Sequence, residues 1–280
     1  MTKKQVLLAI LTLKGDNRCM NEPIPSSLDP RLANLFRGDL DEVTESCIQL
    51  INIVFDDPEL EHSMIERIQH LIDEQEGFLP GELCMALILG ELRSAPSTSV
   101  FLQALRDEDE MLQRISIRSL QRIGDPAFEA ILEMLEDPQL EGETAALAIE
   151  ALEGISLHEL PQQKTAIEER LRKDLLSTHL PLPRREAAAT ALSHLGMADA
   201  TDLLEEVLQR DFPHGNVLIG EALDALRENP TGRSGVAEDP IENVLGWLEL
   251  DLVPGAEIEI EPLLPGGTTP REETDLTLED

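Results

Sequence analysis

Aromatic side chains are nearly missing from this 280-residue chain: they make up 2% of it, with no tyrosine and a single tryptophan, Trp247. A core without rings must be filled by Leu, Ile, Ala and Val, and single-stranded nucleic acid loses the platforms on which its bases stack. Cations are scarce as well, because 22 Lys and Arg stand against 56 Asp and Glu, a formal net charge of −34. Phosphate backbones need cations that displace their counterions, so nucleic acid is not expected as a partner. The excess of acid keeps an extended surface soluble. Its sharper meaning is attraction to a partner protein with a basic surface.

Cysteine is limited to Cys19, Cys47 and Cys84, too few and too widely spaced for a disulfide framework or a Cys-x-x-Cys metal site. Cys47 and Cys84 fall on apolar helical stripes and are expected as buried small hydrophobes in a reducing, cytoplasmic setting. No segment approaches the roughly 18 continuous apolar residues of a spanning helix, so no membrane role is expected. Met1 to Leu13 has the charged-then-apolar order of a signal peptide, but the apolar run is short and no Ala-x-Ala cleavage site follows. Met20, which precedes Asn21-Glu22-Pro23-Ile24-Pro25, is an alternative start.

The groups that mark enzymes are equally sparse. The six histidines, His62, His70, His158, His179, His194 and His214, lack the paired spacing of a helical zinc site. His194 sits just before Gly196 and is expected to hydrogen-bond a helix end. Glu59, Glu61 and Glu66, and the pair Glu205 and Glu206, read as solvated faces of amphipathic helices and not as acid-base machinery. The only adjacent glycines, Gly266-Gly267, follow Pro265 and lack the lysine and helix of a phosphate loop. No nucleophile elbow occurs. The chain reads as non-catalytic, with no metal and no cofactor.

What is present is a repeat. Its clearest copy runs from Arg185 through Ala188-Ala189 and Ala191-Leu192 to Leu195-Gly196. The slots recur at Ser116, Ile117, Ser119, Leu120, Ile123 and Gly124, and at Ala148, Ile149, Ala151, Leu152 and Ile155. Small residues beside a large aliphatic at helical spacing let neighbouring helices lie close, and the glycine ends the helix at a left-handed turn. The marker leucines Leu89, Leu120, Leu152, Leu192 and Leu226 are 31, 32, 40 and 34 residues apart, the period of two-helix repeats. The fold class is therefore all-α, a stacked helical array of about six pairs.

The pass along the chain gives three regions: an N-terminal extension with a short helix over 1–38, the array over 39–250, and an acidic tail over 251–280. Ser27 or Asp29 caps the short helix near Arg31 to Phe36. The first pair occupies Asp39 to Val54 and Glu59 to Glu76, the second Pro80 to Arg93 and Ser97 to Leu105. Asp107-Glu108-Asp109 opens the third, with Pro126 early in its second helix. Glu141 to Gly154 and Gln162 to Ser177 form the fourth, and the loop between them is expected to account for the 40-residue spacing. Pro181-Leu182-Pro183 starts the fifth, and the sixth begins near Pro213. Pro240 to Leu250 is expected as a capping helix that contains Trp247. From Ala237 to Asp280 there are thirteen acidic residues and one arginine, which favours disorder. Ala256 to Glu261 alternates apolar and acidic residues; a solvated linker is preferred over a strand that adds to a partner's sheet.

The segments Arg185 to Gly196 and Asp107 to Asp125 resemble HEAT repeats, in the short bacterial form called HEAT-like or PBS-lyase-like. The similarity spans roughly Asp39 to Leu250, with Ser119 in place of the last alanine in one copy and Ala145 or Glu82 where the arginine belongs in others. The resemblance implies a right-handed superhelix, a HEAT-like α-solenoid, whose second helices line a concave face that binds proteins or peptides. That makes a scaffold, adaptor or assembly factor the leading expectation. Bilin lyases and isomerases share the repeat, so action on a tetrapyrrole-carrying partner is the alternative. Deoxyhypusine hydroxylase needs several His-Glu pairs, and this chain has only His158-Glu159. The HEAT-like DNA glycosylases need a basic groove. Candidate partner-binding residues are Trp247, which either caps the array or anchors a partner, and the cations Arg170, Arg172, Arg184 and Arg185 beside Lys173. These cations either mark a site for an acidic peptide or neutralise neighbouring helix faces.

Overall fold

A computed structural model describes residues 28–37, 40–137, 139–158 and 161–232. Met20, Cys19, Trp247, the expected capping helix and the acidic tail lie outside the described residues. Within them the chain is all-helical and has no strand. A 3-10 helix at Pro30–Phe36 precedes α1 (Leu40–Phe55), α2 (Pro58–Glu74), α3 (Pro80–Glu91), α4 (Thr98–Ala104), α5 (Glu110–Ile123) and α6 (Asp125–Glu136). Then come α7 (Gly142–His158), α8 (Pro161–Leu176), α9 (Leu182–His194), α10 (Thr201–Asp211) and α11 (Val217–Glu228). No helix among the described residues is long and apolar enough to cross a membrane.

Local chemistry sets the starts and stops. The Asp57 carboxylate accepts from the Leu60 N–H at 3.1 Å with Pro58 opening α2, and Asp109 accepts from the Met111 and Leu112 N–H groups at 2.9 and 3.0 Å. Asn216 does the same for Ile219 at 2.9 Å. Each such cap contributes about 1 kcal/mol by satisfying an otherwise orphaned donor. Gly124 and Gly196 end α5 and the α9 turn with φ of 74° and 66°, as the repeat pattern requires.

The odd-numbered helices, which open each pair, pack on one another in succession from α1 to α11, and α2, α4 and α6 do likewise. Close approach depends on the small residues. A Cβ at Gly90 would stand 2.8 Å from Ser119 Cβ and 2.9 Å from Ser119 Cα, so α3 and α5 touch nearly backbone to backbone. In α9, Ala188, Ala189, Ala191 and Leu192 are all buried.

Helix α3 has no solvent face, since every residue from Gly81 to Gly90 is buried among the 3-10 helix, α1, α2 and α5. The one charge within that buried stretch, Glu82, accepts from Arg67 Nη2 at 2.6 Å and from the Leu79 N–H at 2.8 Å. The long spacing between Leu152 and Leu192 has a different origin from the expected loop. Helix α7 runs through Gly154 to His158 and α8 begins at Pro161, so the extra residues lengthen two helices. Gly154 is not a stop, because its bare Cα faces the Gln121 side chain of the neighbouring helix.

Candidate functional site

Of the four candidate cations within the described residues, Arg170, Arg184 and Arg185 are buried in the array and Arg172 is half-buried. Arg184 is 1% exposed and grips Asp174 through Nε and Nη2 at 2.9 and 3.2 Å, while also donating to the Leu135 carbonyl that ends α6. Arg170 donates to the same carbonyl, pairs with Glu136, and meets Asp174 at 3.1 Å. Arg185 donates to the Leu175 carbonyl at 3.0 Å, pairs with Asp211, and lies 5.2 Å over the Phe212 ring. Arg172 joins Glu168 at 2.8 Å and Asp199 at 2.9 Å. Together they fasten α6, α8, α9 and α10. They form no open basic patch; of the two readings of these residues, neutralisation of neighbouring helices matches the geometry.

The carboxylates respond accordingly. Hydrogen bonds from Arg210 and then Arg185 hold Asp211 down to about 2. Lys173, followed by Arg170, keeps Glu136 below the usual carboxylate range.

A groove of about 740 Å³ opens elsewhere, across α5, α7, α9 and the start of α11. Its apolar lining includes Ile117, Leu147, Ile149, Ala187 and Leu218. Ile117 and Ile149 belong to the buried seams between helices, whereas Leu147 and Ala187 are half-buried on the seam edges. Small side chains at Ala146, Gly154, Ala187 and Thr190 keep the space above the seams open. Leu218 is 47% exposed beside Val217 at 73%, which extends the apolar lining onto α11.

Acids rim this floor. Glu150 of α7 accepts from Arg114 of α5 at 3.1 Å, Glu186 of α9 accepts from Asn216 at 2.7 Å, and Glu153 lies 2.7 Å from His194 Nδ1. Glu143 has no hydrogen-bond or ion-pair partner among the described residues. On the α5 side, Arg118 pairs with Glu91 at 3.1 Å. His194 therefore bonds a side chain of α7 instead of a helix end; Lys164 donates to the Leu195 carbonyl at that end, at 2.9 Å.

The position of the groove departs from the HEAT-like expectation, which puts the binding face on the second helices of the pairs. The groove lies on first helices, because their small-residue seams bring backbones together and leave a valley above each contact. None of its edge residues stood out in the sequence, where Leu147, Ala187 and Thr190 have the composition of the buried seam beside them.

Among the described residues no group of three or more His, Cys, Asp or Glu side chains could hold a metal ion. Cys47 on α1 and Cys84 on α3 are both free and buried. No family model, no curated protein and no solved structure matches the chain.

Proposed function

We propose that this chain is a non-catalytic scaffold, an adaptor or assembly factor, built as a right-handed HEAT-like α-solenoid that holds a partner protein. The observation that carries the reading is the groove: four successive first helices share one open surface, with aliphatic floor and acidic rim. A surface assembled from several repeats in a row is how quasi-one-dimensional helical arrays recognise extended partners. The successive packing of odd-numbered helices supports the solenoid, and the repeat wording at Arg185 to Gly196 supports the family. The net charge of −34 favours a partner with a basic surface. A reducing cytoplasm is the proposed setting, in keeping with the free thiols of Cys47 and Cys84.

The test joins shape and binding. Solution scattering of the purified chain should give an elongated particle, and affinity purification at low salt should retain a specific protein that high salt releases. Reconstitution of that complex from purified components then fixes its affinity. A compact spherical particle that retains nothing at low salt removes the reading.

A further inference from the structure

We infer that the groove across α5, α7, α9 and the start of α11 receives a single amphipathic α-helix of a partner protein, with an aliphatic stripe flanked by lysine or arginine. This rests on the scaffold reading and gives that scaffold a place and a ligand chemistry.

The floor decides the conformation of the occupant. It is made entirely of helix faces, whose N–H and C=O groups beyond the first turns are bonded within their own helices, so it offers no sheet edge. An extended peptide laid there would bury main-chain donors and acceptors without partners, at a cost of several kcal/mol over a few residues. A helix arrives with its own bonds made and needs only side-chain contact, the helix-in-groove mode. Four helices side by side, with axes about 8–10 Å apart, give a track of roughly 24–30 Å. At about 1.5 Å per residue, a helix of roughly 16–20 residues spans it.

Charge decides the flanks of that helix. Glu143, Glu150, Glu153 and Glu186 line the α7 and α9 walls, against Arg114 and Arg118 on the α5 side. Both arginines already face carboxylates, Glu150 and Glu91. Glu143 has no partner among the described residues, and Glu186 has only a neutral one, Asn216. An incoming cation gains two carboxylates that no cation of the described chain neutralises. An acidic helix, or a phosphate-bearing polymer, meets repulsion from the same two.

The probe is a labelled synthetic peptide of leucine and lysine in which leucines recur at helical spacing. Its controls are a scrambled peptide of the same composition and a version with glutamate for lysine, each titrated into the full chain. The amphipathic lysine peptide should bind saturably, and both controls about tenfold or more weakly. The double variant Glu143→Gln, Glu186→Gln should weaken the lysine peptide about fivefold or more, with an unchanged helical spectrum and melting point. Leu147→Ser, which removes floor without touching charge, should weaken it independently. Zero-length carbodiimide coupling should join peptide lysines to Glu143, Glu150 or Glu186. Equal binding of the scrambled peptide, or coupling spread over distant acids such as Glu59 and Glu66, overturns the inference. So does a cellular partner that binds the double variant and Leu147→Ser as tightly as the parent chain. That last result leaves the scaffold reading in place and ends only its assignment to the groove.

Discussion

Arg184 and Asp174 face one another at 2.9 Å with each side chain only 1% exposed, across the turn that joins α8 to α9. Ten residues of chain separate them, and Arg170 approaches the same carboxylate at 3.1 Å. Asp174→Ala strands two buried guanidiniums together and should cost about 3–5 kcal/mol. Denaturant unfolding should show the midpoint shift. Arg184→Lys keeps the charge but loses the fork that reaches both Asp174 and Leu135, and should fall between parent and alanine variant. A change below about 0.5 kcal/mol in Asp174→Ala would mean that water reaches this pair.

Glycines inside helices separate two kinds of contact. At Gly90 a new Cβ meets Ser119 at its Cβ and Cα, 2.8 and 2.9 Å away, so the α3 and α5 backbones must part. Gly90→Ala should cost about 1–3 kcal/mol. At Gly154 the obstacle is the Gln121 side chain, whose amide end swings aside. Gly154→Ala should be close to neutral, because helix propensity gains offset the displacement. Thermal melts of the two variants measured together check the order, and a reversed order contradicts the seam geometry.

Acid should weaken the α9–α10 junction in a defined window. Arg210 and Arg185 hold the Asp211 carboxyl at about 2, below its value in an unfolded chain. A lowered folded value means the stabilisation is present above the unfolded value of about 3.9 and is lost as pH falls toward 2. The stability gap between the parent and Asp211→Asn should therefore be constant from neutral pH down to about 4 and shrink below it. Asp109 runs the other way: burial raises its carboxyl, so the share of stability tied to its protonated form is lost as pH rises through that raised value. Unfolding curves from pH 7 to pH 2 supply the measurement. A gap that grows with acid contradicts the assignment.

The Cys84 thiol should be inert in the folded protein. The neighbouring Cys47 thiol and then burial raise it well above the usual thiol range, and the thiolate is the reactive form. Alkylation at mildly alkaline pH, followed peptide by peptide with mass spectrometry, should leave Cys84 unmodified until denaturant is added. Rapid labelling of the native chain would show that α1 and α3 separate readily.

The helices were legible because burial repeats with the helical period: Leu89, Leu120, Leu152 and Leu192 are each fully buried, as their recurrence in the sequence predicts. The cap at Asp29, whose carboxylate accepts from the Arg31 N–H at 2.9 Å, and the acidic start of α5 at Asp109 were legible from residue type and place. Gly154 misled, since a glycine that ends one helix and a glycine that admits a neighbouring side chain look alike in one dimension. The roles of Arg170 and Arg184 were not decided there either, because Leu135, which both reach, lies 35 and 49 residues away in the chain. The groove escaped notice for a related reason. Its edges differ from the buried stripe by one step around each helix, and that step becomes meaningful only once the helices are set side by side.

A helix without a wet side, as α3 is from Gly81 to Gly90, has no amide that a deuteron can reach by local breathing. Exchange there must await a joint opening of α1, α2 and α5, so protection should peak at α3 and decline toward α1 on one side and α11 on the other. That gradient makes the early third of the described chain its slow clock.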